Sequence, residues 1–161
     1  MLTRFLLVIL AGLWCGATDV RGEASELQKK FALPDRVQLL PFQVPFESPT
    51  RSGLTPVTIF IKPFHKEDVG RVCRHSPRIR DAILGTLYAE PLKAEGRELL
   101  PGGGKRLIGP VNEALGAKIV EDIYVAQGAL NMASGSISKL PFTSASGCTS
   151  IKEMEYNGKI K

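Results

Sequence analysis

Two proline-flanked stretches of alternating apolar residues constrain the fold of this chain more than any other feature. Residues 37–46 and 57–62 both place apolar side chains at every second position. A period of two is typical of β-strands. Pro41 and Pro45 cannot donate hydrogen bonds to a neighbouring strand, so the first stretch is predicted to be an edge strand or a broken one. The turn residues between the two stretches predict a hairpin with a loose loop.

The next part of the chain changes to helical periodicity. Ser76 and Pro77 form a typical helix start, with serine as the cap and proline at the first helical position. The apolar residues that follow are spaced by three and four, which predicts a helix over residues 78–89. Its predicted core side chains are Ile79, Ile83 and Leu87. Further elements predicted on the same criteria are helices over residues 66–75 and 105–115 and a strand over residues 119–130.

This order of elements predicts an α+β domain, with a small sheet of about three strands and helices packed on one face. A chain of 161 residues is long enough for one domain. Residues 18–36 are polar and are interpreted as a spacer. Residues 132–161 are rich in serine and glycine and are predicted to form a loosely ordered tail.

Residues 1–17 have the organisation of a secretory signal. Arg4 supplies a positive charge, residues 5–14 are uncharged and mostly apolar, and small residues follow. The predicted cleavage follows Ala17. Weaker alternative sites follow Gly22 and Ala24.

Two other interpretations of this N-terminal segment are a membrane anchor and a lipoprotein. The uncharged stretch is shorter than the ~20 residues that a spanning helix needs, which favours a cleaved signal over a short membrane anchor. Acylation of Cys15 is disfavoured because Trp14 stands where a small residue is expected. Export would place Cys73 and Cys148 in an oxidising compartment, where they either pair or stay free.

Fragments that resemble enzyme motifs lack the residues that the chemistry requires. The glycines of residues 102–104 precede Lys105, but a phosphate-binding loop needs serine or threonine next, and Arg106 follows. His65, Cys73 and His75 do not have the spacing of a zinc site. With two histidines in the chain, a nucleophile, base and orienting group are hard to assemble. No catalytic, cofactor-binding or metal-binding residue is predicted, and no cofactor.

Residues 62–81 carry the most unusual charge pattern, with six basic and three acidic side chains. One interpretation is a solvated helix face. The other is a contact surface for an anionic partner or a neighbouring subunit, because the guanidinium group suits such interfaces. The candidate interface residues are Arg74, Arg78, Arg80 and Asp81. The formal net charge of +5 suits an acidic partner or an anionic lipid surface, and nucleic acid is not expected outside the cytoplasm.

Four segments resemble the flagellar basal-body-associated FliL family. Residues 40–46 (LPFQVPF) resemble its opening strand, and residues 77–87 (PRIRDAILGTL) are similar to its helix with a Pro-x-apolar-Arg-Asp pattern. Residues 104–115 resemble its later helix, in which an asparagine precedes an apolar pair, and residues 120–125 resemble its closing strand. The resemblance covers residues 37–130, within a predicted FliL-like periplasmic domain of residues 37–131.

The resemblance implies a non-catalytic protein with a stomatin-like domain. Such a protein would lie in the periplasm, tethered to the inner membrane at the basal body. It would form homo-oligomers, contact stator and basal-body proteins, and support motility and chemotaxis. Members of that family usually carry a full membrane-spanning helix, whereas this chain has a short, cleavable apolar segment and a tail beyond Leu130. The alternative is a generic periplasmic scaffold without a motor role.

Overall fold

The computed structural model describes residues 33–130, 140–142 and 144–156; the predicted signal and most of the spacer lie outside them. Its strands are β1 (Arg36–Gln38), β2 (Phe42–Ser48), β3 (Arg51–Pro63), β4 (Leu92–Glu95), β5 (Glu98–Leu99), β6 (Val120–Gln127) and β7 (Ala145–Gly147). Its α-helices are α1 (Val69–Arg74), α2 (Ser76–Ala89), α3 (Ile108–Leu115) and α4 (Cys148–Tyr156). Single 3₁₀ turns, Lys66–Asp68 and Lys105–Leu107, precede α1 and α3.

β3 is the central strand, and its 13 residues are long enough to pair with three others. β2 and β1 follow each other along one edge of β3, and β6 lies on the opposite edge, because Val57 pairs with both Phe42 and Gln127. The predicted first strand is therefore broken into β1 and β2. Pro41 lies at the break, where it has no N–H to donate to β3.

The prediction of a small sheet of about three strands is wrong. The sheet has seven strands and is mixed: β4 pairs in parallel with β2, β7 pairs in parallel with β1, and β5 pairs antiparallel with β4. The added strands have two to four residues each, which is too short for alternation to reveal them in the sequence. The α+β class itself is confirmed.

One face of the sheet packs against the helices and forms the main core. Ile59 and Ile61 of β3 are fully buried there. The stripe predicted for α2 is also fully buried, at Ile79, Ile83 and Leu87. Each α-helix of the described residues contributes at least one buried side chain to this cluster; the others are Val69, Val72, Cys73, Val111, Leu115 and Ile151.

The opposite face of the sheet is covered by the chain that leaves β6. Thr58 is fully buried on this face; its hydroxyl donates to the Gly128 carbonyl and accepts from the Leu130 amide. Gln38 donates to the Leu130 carbonyl at 2.8 Å. Farther on, the Phe142 ring lies 5.0 Å from that of Phe60.

From this face the chain reaches the helical side through β7 and α4. We call residues 140–142 and 144–156 the C-terminal wrap. β7 extends the sheet beside β1, and α4 packs on α1 with Ile151 fully buried. A disulfide joins Cys73 of α1 to Cys148, with the two Cα atoms 5.2 Å apart. The loose order predicted for the tail is therefore wrong for residues 145–156; residues 131–139 lie outside the described part.

Candidate partner-binding surface

The four predicted interface residues do not form one cluster. Arg74 and Arg78 are exposed and border a shallow depression at the corner between α1 and α2. Asp81 is exposed on α2, and it does not line that depression. Arg80 points to a different place, the start of β2. The predicted interface thus separates into an exposed corner and one fixed arginine.

Arg80 is held by contacts within the domain. One of its guanidinium nitrogens donates to the Leu40 carbonyl at 2.8 Å, and its Cζ lies 4.2 Å from the centre of the Phe42 ring. A guanidinium over an aromatic face is attracted by the ring quadrupole. Arg80 therefore attaches α2 to the short linker between β1 and β2. Its remaining N–H groups stay near the surface because the side chain is only half-buried.

That linker forms one wall of a cleft, which we call the linker cleft. Its volume is about 670 Å³. The second wall is the start of α2, with Ser76 and Arg80, and the third is the start of α4. Leu40 is 75% exposed at its rim, an unusual position for a large apolar side chain. The cleft therefore combines an apolar wall with polar and basic walls.

A second cleft, of about 680 Å³, lies between β5 and β6. Gln127 spans one end: its side-chain oxygen accepts from the Leu99 amide and its nitrogen donates to the Arg97 carbonyl. At the other end Gly104 lies so close to β6 that an added Cβ would overlap the Ile123 carbonyl oxygen. In the glycine run that resembles a phosphate loop, Gly104 is thus required by close packing against a strand, and Gly102 by its positive φ of 92°.

The described residues contain no group of three potential metal ligands among His, Cys, Asp and Glu. Cys73 is bonded to Cys148, so its thiol is not available beside the histidines. His75 donates from Nδ1 to the Arg71 carbonyl at 3.0 Å, which closes the end of α1. Cys73 and His75 therefore both make contacts that stabilise the fold around α1.

Asn112 has a structural role that the sequence did not reveal. Its side-chain oxygen accepts from the amides of Ile119 and Val120, at 2.9 and 3.0 Å. These bonds hold the entry of β6 against α3, after Gly116 ends the helix in the left-handed conformation that favours glycine. Asn112 therefore fixes the connection between α3 and β6.

The chain matches no protein-family model, no curated protein and no solved structure. Among the helices of the described residues, none has the length and hydropathy needed to cross a bilayer. The fold is that of an α+β domain with a disulfide and two large surface clefts.

Proposed function

We propose that this protein is a non-catalytic, exported partner-binding domain that supports the flagellar motor from the periplasmic side of the inner membrane. The observation that carries the proposal of export is the Cys73–Cys148 disulfide. Disulfides persist in oxidising compartments such as the bacterial periplasm and are rare in the cytosol. The apolar run and small residues of residues 1–17 support the same location.

The motor role is supported by the position of the FliL-like segments. They correspond to β2, α2, α3 and β6, and all four contribute buried side chains to one core. A partner-binding rather than catalytic role is supported by the surface, which offers clefts with basic and apolar walls. Homo-oligomers and contact with stator or basal-body proteins belong to this proposal, because such an accessory protein would act through contacts alone.

The experiment is to delete the gene and measure swimming speed and swarming, with complementation by the intact gene. The motor role predicts reduced swimming or swarming that complementation restores. A complementing gene that carries Ile83→Asp should fail, since that change places a charge in the core. A complementing gene with Lys118→Glu, at an exposed position, serves as the matched control. Unchanged motility would contradict the motor role and leave a generic periplasmic scaffold.

A further inference from the structure

The linker cleft has the chemistry of a recognition site. Its walls include the apolar side chains of Leu39, Leu40, Pro41 and Leu130. Leu40 is one of the most exposed large apolar side chains among the described residues, at 75%. An exposed leucine beside a concave apolar surface is typical of a place that receives an apolar side chain from a partner.

The charge of the cleft is of one sign. Arg80 and Lys152 are the charged residues among its described lining, and neither an aspartate nor a glutamate is present there. Arg80 is already oriented by its bond to the Leu40 carbonyl. Little side-chain entropy is therefore lost when its remaining N–H groups donate to a carboxylate. Lys152 is exposed on α4, across the cleft from the linker. Serine and threonine hydroxyls of α2 and α4 add hydrogen-bond donors between the two cations.

We infer that the linker cleft binds an acidic segment of a partner protein. An aliphatic side chain of that segment would contact Leu40 and Pro41, and flanking carboxylates would meet Arg80 and Lys152. This inference deepens the proposed function, on which it rests for the identity of the partner as a motor or envelope protein. The binding chemistry itself is independent of that identity.

The cleft also depends on the disulfide. The linker and α2 belong to the main core, whereas Lys152 is brought to the cleft by α4. α4 is attached through Cys148, which itself lines the cleft. Breaking the bond should release the wall that carries Lys152 and leave the opposite wall in place. Reduction is therefore expected to weaken binding of an acidic segment.

The test uses the mature chain and a fluorescent peptide with a central leucine flanked by aspartates. Fluorescence anisotropy should show saturable binding, weaker at high salt because exposed charges are screened. Lys152→Glu should weaken binding about tenfold, and Leu40→Ser about fivefold. Matched controls are Lys118→Glu and Leu54→Ser, which are exposed and away from the cleft. A peptide with lysines in place of the aspartates should not bind.

Several outcomes would overturn the inference. The first is that the acidic peptide does not bind, and the second is that Lys118→Glu and Lys152→Glu reduce its affinity equally. The third is a dimer of the protein that Leu40→Ser dissociates, which would show that a second copy of the chain occupies the cleft. Circular dichroism of each variant establishes that it is folded. Peptide binding without a motility defect in the deletion strain would contradict the motor role and support the binding site. A motility defect without peptide binding would support the motor role and contradict the binding site.

Discussion

Helix α2 and the C-terminal wrap are held in the same domain by different forces. α2 buries a complete apolar stripe, Ile79, Ile83 and Leu87, at 0% exposure. In the wrap, α4 is held chiefly by Ile151, the short parallel pairing of β7 with β1, and the covalent bond to α1. The main core is therefore stabilised by its own apolar pattern, whereas the wrap is stabilised by few apolar contacts and a covalent bond.

The largest effect should come from breaking the α2 stripe. Ile83→Asp places a carboxylate in a fully buried position without a partner, so the free energy of unfolding should fall by at least about 4 kcal/mol. Thermal unfolding followed by circular dichroism measures the change. Tyr88→Asp, on the exposed side of the same helix, is the control and should change stability by less than about 0.5 kcal/mol. An Ile83→Asp variant with the melting temperature of the unmodified protein would contradict the placement of this helix.

The next largest effect should come from removing the disulfide, and it should differ between the C-terminal wrap and the main core. Cys148→Ser removes a cross-link between residues 75 apart, which should cost about 4 kcal/mol in the chain-entropy account of disulfides. Hydrogen exchange should speed up in β7 and α4, while the amides of α2 and β3 stay protected. Adding reductant to the unmodified protein should reproduce this pattern, and adding it to the variant should change nothing further. Uniform loss of protection throughout the domain would show that the wrap and the core are one cooperative unit.

These differences explain how much the sequence predicted. The α2 stripe and the alternation in β6 report burial directly, so those two elements were predicted close to their observed positions. The prediction for β3 was too short: the strand begins at Arg51 rather than at residue 57, because the residues predicted to form a loose loop pair with β2. β4, β5 and β7 have two to four residues each, and pairing rather than periodicity defines them. α4 was missed because, among its side chains that the structure describes, Ile151 alone is fully buried and makes no stripe.

The candidate site was predicted in part. The sequence singled out the arginines of α2, but Arg80 faces the linker, and Lys152 reaches the same cleft from a distant part of the chain. Lys152 follows Cys148 in α4, and the sequence left the pairing of Cys148 with Cys73 open. Of the four residues that the sequence analysis named, Arg80 lines the cleft, whereas Lys152 was not predicted.

Smaller changes in the free energy of unfolding are expected when two glycines of the main domain are replaced by alanine. Gly104→Ala should destabilise by about 1–3 kcal/mol, because its Cβ would overlap the Ile123 carbonyl oxygen and the backbone must shift. Gly85→Ala meets open space within helix α2 and should stabilise by about 0.5–1 kcal/mol. Chemical denaturation of both variants measures the two values. Equal effects of the same sign would contradict the close approach of Gly104 to β6.

A further moderate effect is expected at the α3–β6 connection. Asn112→Ala removes the acceptor for the amides of Ile119 and Val120, at a cost of about 1–2 kcal/mol. Asn112→Asp keeps the acceptor and should recover most of that loss. Urea denaturation compares the two variants. An aspartate variant as unstable as the alanine variant would argue against the hydrogen-bonding role.

The central proposal is that the domain is exported and that a disulfide between Cys73 and Cys148 holds the C-terminal wrap in place. Thiol labelling tests this most directly. Cells are quenched rapidly with acid to trap the thiol state, and a maleimide reagent of high mass is then added to the denatured protein. We predict that neither cysteine of the accumulated mature protein is labelled until a reductant is supplied under denaturing conditions, after which both are. Labelling of both cysteines in the denatured protein without reductant would contradict the account.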